Sequence, residues 1–233
     1  MRVEPILVTG AGGFVCSEIA LALHRVFDAA TKDRLSGIRR LEGHLPDLLA
    51  DGAIREVSAV IHGAAITAAP ERLGISRAAH IRRNMDLLTA TLDFARGAGA
   101  ERFLFLSSMG VFAAGDAPAP EGRFTEATEP TATCTYCAAK QAGELLTTSA
   151  ADAGFTTLSL RLGNIFGAHE AVRESRQHLC LVSRMMAEAR ATGVITVQTP
   201  NALREWSWLP DLAAGVVRLI VDLPATGPRV IHA

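Results

Sequence analysis

The stretch ILVTGAGGFVCSEIALAL, residues 6–23, narrows the available folds more than any other part of the chain. An apolar, strand-forming run passes without a linker through Gly10, Gly12 and Gly13 into an Ala- and Leu-rich segment suited to a helix. So tight a turn needs backbone conformations that glycine adopts at little cost. The helix that follows opens with N–H groups lacking intrahelical partners, which favour an anion. Gly10 closes the turn and Gly13 lets the backbone approach a pyrophosphate, while Gly12, Phe14 and Val15 complete the loop. The spacing is G-x-x-G-x-x-C: Val15 takes the last place of G-x-G-x-x-G, and Cys16 stands where a third glycine usually lies. That third place serves helix packing. A small side chain there is expected to push the helix slightly outward without removing a phosphate donor.

The same alternation continues along the chain. Strand-like runs fall at 3–9, 58–64, 102–108, 156–162 and 229–233, and helix-period segments begin near Val15, span 81–99, follow Tyr136, and cover 181–191 and 211–223. This predicts an α/β fold of Rossmann type, a doubly wound parallel sheet that binds ligands beyond the carboxyl ends of its strands. Residues 1–165 read as the dinucleotide-binding domain. Residues 166–233 read as a mixed segment that supplies a small, abbreviated substrate lobe and returns to the sheet. The 109–134 stretch, rich in Ala, Pro, Gly and Thr, reads as a long functional loop. The 24–58 segment is short for the second strand, crossover helix and third strand of a doubly wound half.

Composition excludes several classes. The chain is 49% hydrophobic and carries a net charge of -1, with no Lys/Arg run longer than a pair, so neither nucleic acid nor an anionic membrane is an expected partner. No apolar run is long enough to span a bilayer, and Met1 leads directly into a strand, so the protein reads as cytoplasmic. The histidines show no ligand spacing, and no metal is expected. Cys16, Cys134, Cys137 and Cys180 are too few for a disulfide framework. Cys134 and Cys137 form a C-x-x-C without a second ligand pair, and read as small packing residues at a helix start rather than a redox or metal site.

The segment TYCAAKQAGELL places Tyr136 and Lys140 four residues apart, on one face of a helix. Tyr136 is the only tyrosine, and the only other lysine is Lys32. A free phenol has a pKa of about 10, but an ammonium one turn away and a cationic nicotinamide both favour phenolate. Tyr136 then serves as a general acid/base toward a substrate hydroxyl. Ser107 and Ser108, at the carboxyl end of RFLFLSS, are placed to donate a hydrogen bond to the same oxygen.

Taken in order, TGAGGF, HGAA, LSS, YCAAK and RLGNIFG resemble the extended short-chain dehydrogenase/reductases, the nucleotide-sugar epimerase/dehydratase family. The resemblance covers nearly the whole chain. It implies Ser108 as the catalytic serine, Tyr136 as the base and Lys140 as the ribose-binding lysine. It further implies His62, Gly63, Ala64, Ala65, Asn84 and Leu106 around the cofactor, and Ser107, Met109, Asn164 and Arg204 on the substrate side. The cofactor it implies is NAD, with NADP left open. Asp28, or Asp33 behind it, is the candidate for the ribose hydroxyl, whereas Arg25 or Arg39 there would favour NADP. His44 stands where the family usually has an aspartate that reads the adenine.

Dehydratases of this family carry an Asp-Glu pair after the active-site hydroxyl, where this chain has Met109 and Gly110. The implied reaction is therefore hydride transfer at a carbinol carbon of a sugar-like substrate, by an epimerase or a dehydrogenase/reductase and not a dehydratase. The alternative is a non-catalytic, regulatory dinucleotide-binding member of the same fold. Relatives usually continue beyond the strand RVIHA, which leaves open a compact member or a longer natural protein. They pair through the helices at 81–99 and after Tyr136, so a homodimer is expected.

Overall fold

A computed structural model of the chain describes residues 5–30, without the side chains of 26–30, together with 41–112, 122–172, 179–198, 200–201 and 204–233. In chain order its elements are β1 (Ile6–Thr9), α1 (Phe14–Ala30), α2 (Leu45–Ala50), β2 (Ala59–His62), α3 (Arg77–Gly97), β3 (Arg102–Ser108), α4 (Thr135–Ser149), β4 (Thr156–Leu162), β5 (Asn164–Phe166), α5 (Leu181–Thr192), β6 (Trp206–Trp208), α6 (Leu209–Val221) and β7 (Val230–His232).

Five of the strands form one parallel sheet in the order β1-β2-β3-β4-β7. The central strands β3 and β4 are buried over five consecutive residues; in RFLFLSS the buried stretch is apolar up to Ser107, whereas TTLSLRL alternates leucine with the buried polar residues Ser159 and Arg161. Helices cover both faces, α1 packing against α6 and α3 against α4. Successive side chains on a strand point to opposite faces. Ile61 and Leu104 accordingly join Ile19, Val216 and Ile220 on the α1/α6 side, and Val60, Phe103 and Phe105 join Leu88 and Leu92 on the α3 side.

The strands expected at 102–108 and 156–162 coincide with β3 and β4, whereas the other three are shorter than their apolar runs. Residues 3 and 4 of the first run lie outside the described residues. Helix α3 starts at Arg77, earlier than its periodicity indicates, because the Ser76 hydroxyl caps it by accepting the Ala79 N–H at 3.1 Å. Helix α6 likewise starts at Leu209, with Pro210 in the first turn, where its missing N–H costs nothing. Two features were not expected. In the 24–58 segment lies the short helix α2, and β5 pairs in parallel with β6 as a separate two-stranded sheet. Among the described residues no strand pairs with the outer edge of β1.

Candidate active site

The site is built where β1 turns into α1. Gly10 has φ +77, and a Cβ there would lie 2.8 Å from the Ala64 nitrogen, so glycine is required both by conformation and by the backbone beyond β2. The Gly13 N–H donates to the Gly10 carbonyl at 2.7 Å, and α1 begins at the next residue. Cys16 is buried in the first turn of this helix, with its sulfur over Gly63. Burial pushes its thiol up to about 12, so it is held protonated.

The backbone after β2 is held from behind. His62 is 1% exposed, lies between the Phe103 and Phe105 rings, and shares a 2.9 Å hydrogen bond with the Thr9 hydroxyl. Thr9 in turn accepts the Ala64 N–H at 3.4 Å. Burial, reinforced by the Lys140 charge, pulls His62 down to about 3, so its ring is neutral. Asn84 is also buried: its Oδ1 accepts the Ile66 N–H at 2.9 Å, and its Nδ2 donates to the carbonyls of Ile66 (3.3 Å) and His80 (3.0 Å). Asn84 thus holds the loop's backbone directly and His62 does so through the Thr9 hydroxyl, and neither lines either cavity.

Lys140 is buried on α4, one turn after Tyr136. Its Nζ donates to the Leu106 carbonyl at 2.6 Å and lies 4.6 Å from the Phe105 ring centroid and 5.7 Å from that of Tyr136. Burial lowers it to about 8, opposed by Cys16 and Glu144. The two adjacent serines have different tasks. Ser107 is 2% exposed, and its hydroxyl donates to Glu144 Oε1. Ser108 is less buried, and its Oγ accepts the Gly110 N–H at 3.0 Å at the start of a 3₁₀ turn, Met109–Val111. That bond occupies an acceptor position and leaves the hydroxyl proton for donation.

Behind Ser107 lies an ion pair. Arg161 of β4 makes a bidentate contact with Glu144, Nε at 2.9 Å and Nη2 at 2.8 Å, with both side chains 5% exposed. Sequence reading missed this pair, although a charge inside LSLRL needs a buried partner and Glu144 stands one turn beyond Lys140 on the same helix face.

Two cavities meet at Gly10. The smaller, about 440 Å³, takes in Ser107, Ser108, Tyr136 and Lys140, and with them Gly13, Phe14, Val15, Gly63, Ala65, Leu106, Asn164 and Arg204. The larger, about 1190 Å³, takes in Gly12, Ala64 and His44. Met109 lines neither. Asn164 reaches the smaller one from β5, where its amide donates to the Glu205 carbonyl at 3.1 Å. Cys180 and Arg184, at the start of α5, also line it and were not foreseen. Asp33, Arg39 and the side chain of Asp28 lie outside the described residues. Arg25 is exposed and pairs with Glu18 at 3.4 Å. Among the described residues no helix is long and apolar enough to cross a membrane.

A parallel sheet with a glycine turn after its first strand, and Ser, Tyr and Lys gathered at its carboxyl end, defines an extended short-chain dehydrogenase/reductase fold of Rossmann type. The chain belongs to the NAD dependent epimerase/dehydratase family, whose sequence model matches residues 6–231. It is 33% identical over 192 residues to a UDP-glucose 4-epimerase of Erwinia amylovora, an alignment covering 71% of this chain and 55% of that one. The chain thus spans about half the length of that relative. Among solved structures, UDP-glucose 4-epimerase from Bifidobacterium longum in complex with NAD+ and UDP superposes with a TM-score of 0.70 at 22% identity, covering 98% of this chain and 77% of that one. DesIV, a dTDP-glucose 4,6-dehydratase from Streptomyces venezuelae with NAD bound, gives 0.72 at 20% identity, covering 98% and 74%. Epimerases and dehydratases both share the fold, so the reaction has to be argued from the site.

Proposed function

We propose that this protein carries out NAD-dependent hydride transfer at a hydroxyl-bearing carbon of a nucleotide sugar. The observation that carries the reading is the gathering of Ser108, Tyr136 and Lys140 in one cavity with Gly10 and Gly13. The residues present fit a dinucleotide: the turn through Gly10 and Gly13 lines the cavity without side chains, and α1 begins directly after it, with the unpaired N–H groups of a helix start. When bound, the nicotinamide supplies the hydride acceptor and donor.

In this reading Tyr136, as phenolate, takes the proton from the substrate hydroxyl and later returns it. Lys140, held by the Leu106 carbonyl, keeps a positive charge one turn from the phenol. Ser108 donates to the same substrate oxygen and fixes its orientation. Arg184 and Arg204 supply cationic groups on the substrate side for a diphosphate. The epimerase relative favours transient transfer over net oxidation or reduction, and Met109 and Gly110 supply no acid and base for dehydration. Exposed Leu145 and Leu146 on α4 support a homodimer.

The test is to incubate the protein with NAD and UDP-glucose or UDP-galactose and to follow both sugars by proton NMR. Interconversion is expected, and Tyr136→Phe should slow it by about 10²–10⁴-fold while NADH affinity, read by nicotinamide fluorescence, stays nearly unchanged. Full turnover in Tyr136→Phe, or no binding of NADH or NADPH below roughly millimolar concentration, rejects the mechanism. A product lacking the elements of water means dehydration instead.

A further inference from the structure

The Cys134/Cys137 pair, expected to be packing residues, is not packed away. Cys134 is exposed and Cys137 half-buried. Cys134 caps α4, its sulfur accepting the Cys137 N–H at 3.2 Å, and the two sulfurs are 2.7 Å apart. Thr135 and Tyr136 lie between them. On its other side Cys137 touches the turn that carries Ser108: a Cβ on Gly110 would meet the Cys137 sulfur and the Ser108 Oγ, each at 3.2 Å. The remaining thiols are elsewhere, Cys16 buried over Gly63 and Cys180 capping α5.

We propose that Cys134 and Cys137 form a reversible dithiol–disulfide site that sets the state of the turn bearing Tyr136. The geometry assigns the two sulfurs different roles. Cys134 is accessible, at the N-cap of α4, and is placed to meet a disulfide from solution. Cys137 is withdrawn, and burial together with its neighbour pushes its thiol up to about 12. The oxidant is a small-molecule disulfide. The Cys134 thiolate attacks one of its sulfurs, forming a mixed disulfide and releasing one small thiolate. Cys137 then gives up its proton and attacks the Cys134 sulfur, closing the intramolecular bond and releasing the second small thiolate. The two protein thiols are oxidised by two electrons, the small disulfide is reduced to two thiols, and the protons lost by the cysteines end on those thiols. The sulfurs need to approach only to about 2.05 Å. The bond ties the N-cap to the third residue of the helix, with Tyr136 inside the ring it closes. What the switch regulates rests on the proposed role of Tyr136; the disulfide itself does not.

The test equilibrates the full chain with oxidised and reduced glutathione, alkylates it in denaturant, and reads the cysteine peptides by mass spectrometry. Under oxidising conditions two of the four thiols should be lost, from the peptide holding Cys134 and Cys137, and dithiothreitol should restore them. Cys137→Ser should instead trap glutathione on Cys134, and Cys134→Ser should abolish both products. Complete alkylation of both cysteines after oxidation, or an adduct confined to Cys180, overturns the site. The single tyrosine gives a second readout independent of turnover. Its ionisation, followed by absorbance, should shift between the reduced and oxidised forms, and superimposable titrations overturn the link to Tyr136. A shift in a protein that does not epimerise sugars would leave the switch standing and remove only the proposed reaction.

Discussion

The Cys16 sulfur occupies the space that a side chain on Gly63 would need, so the first turn of α1 and the end of β2 share one small volume. The non-glycine residue in the first motif is accommodated by a glycine in the second. Gly63→Ala should therefore destabilise the protein by about 1–3 kcal/mol, the usual cost of overpacking a filled core. Adding Cys16→Gly should recover much of that loss. Thermal or urea denaturation of both single variants and the double variant gives the coupling energy, and strict additivity would show that the two positions do not share this space.

His62 is neutral inside the fold, at about 3 against an ordinary value of 6.5. Between those values the unfolded chain binds a proton that the folded protein does not, so stability is fully present above about pH 6.5 and declines as pH falls toward 3. His62→Phe, which keeps a ring between Phe103 and Phe105, should reduce this acid slope by the contribution of one group. Parallel slopes for the two proteins in pH-dependent melts would reject the assignment.

Lys140 gives the opposite window. Its folded value of about 8 lies below the ordinary 10.5, so the cost of burying the ammonium is present below pH 8, and stability rises with pH between those values. Lys140→Met should remove that rise in urea melts. Turnover moves the other way: above about pH 8 the amine is increasingly neutral and no longer favours the phenolate, so kcat/KM should fall. A kcat/KM profile flat through this range would contradict the proposed pairing with Tyr136.

Glu144 and Arg161 neutralise each other where water does not reach, and Glu144 also receives the Ser107 hydroxyl. Glu144→Ala leaves a buried guanidinium without its partner and should cost about 3–5 kcal/mol. Replacing both charges, as in Glu144→Leu with Arg161→Met, should cost much less, because no unpaired charge remains. Chemical denaturation of the three proteins distinguishes this from simple loss of packing volume, which would make the double variant the worst.

Much of the site is legible in the amino-acid sequence. The glycine turn, the Tyr136/Lys140 spacing and the serines at the end of β3 are local patterns, each imposed by one turn or one helical period. Strands β3 and β4 coincide with their sequence runs, β3 because Phe103 to Leu106 are apolar without a break and β4 because Leu158, Leu160 and Leu162 recur at the two-residue period of a strand. Strands β5 and β6, three residues each, are not legible, because they exist only where Asn164 and Trp206, far apart in sequence, come into register.

By itself, then, the sequence determined a parallel α/β sheet with a phosphate-holding turn, and a phenol and an ammonium on one helix face, because these follow from neighbours a few residues apart. The tertiary structure alone decided which groups are committed elsewhere. It engages Ser107 with Glu144, ties His62 to the Thr9 hydroxyl and Asn84 to the loop's backbone, and sets Gly63 beneath Cys16. Those assignments depend on burial and on partners distant in the chain, which local spacing does not encode.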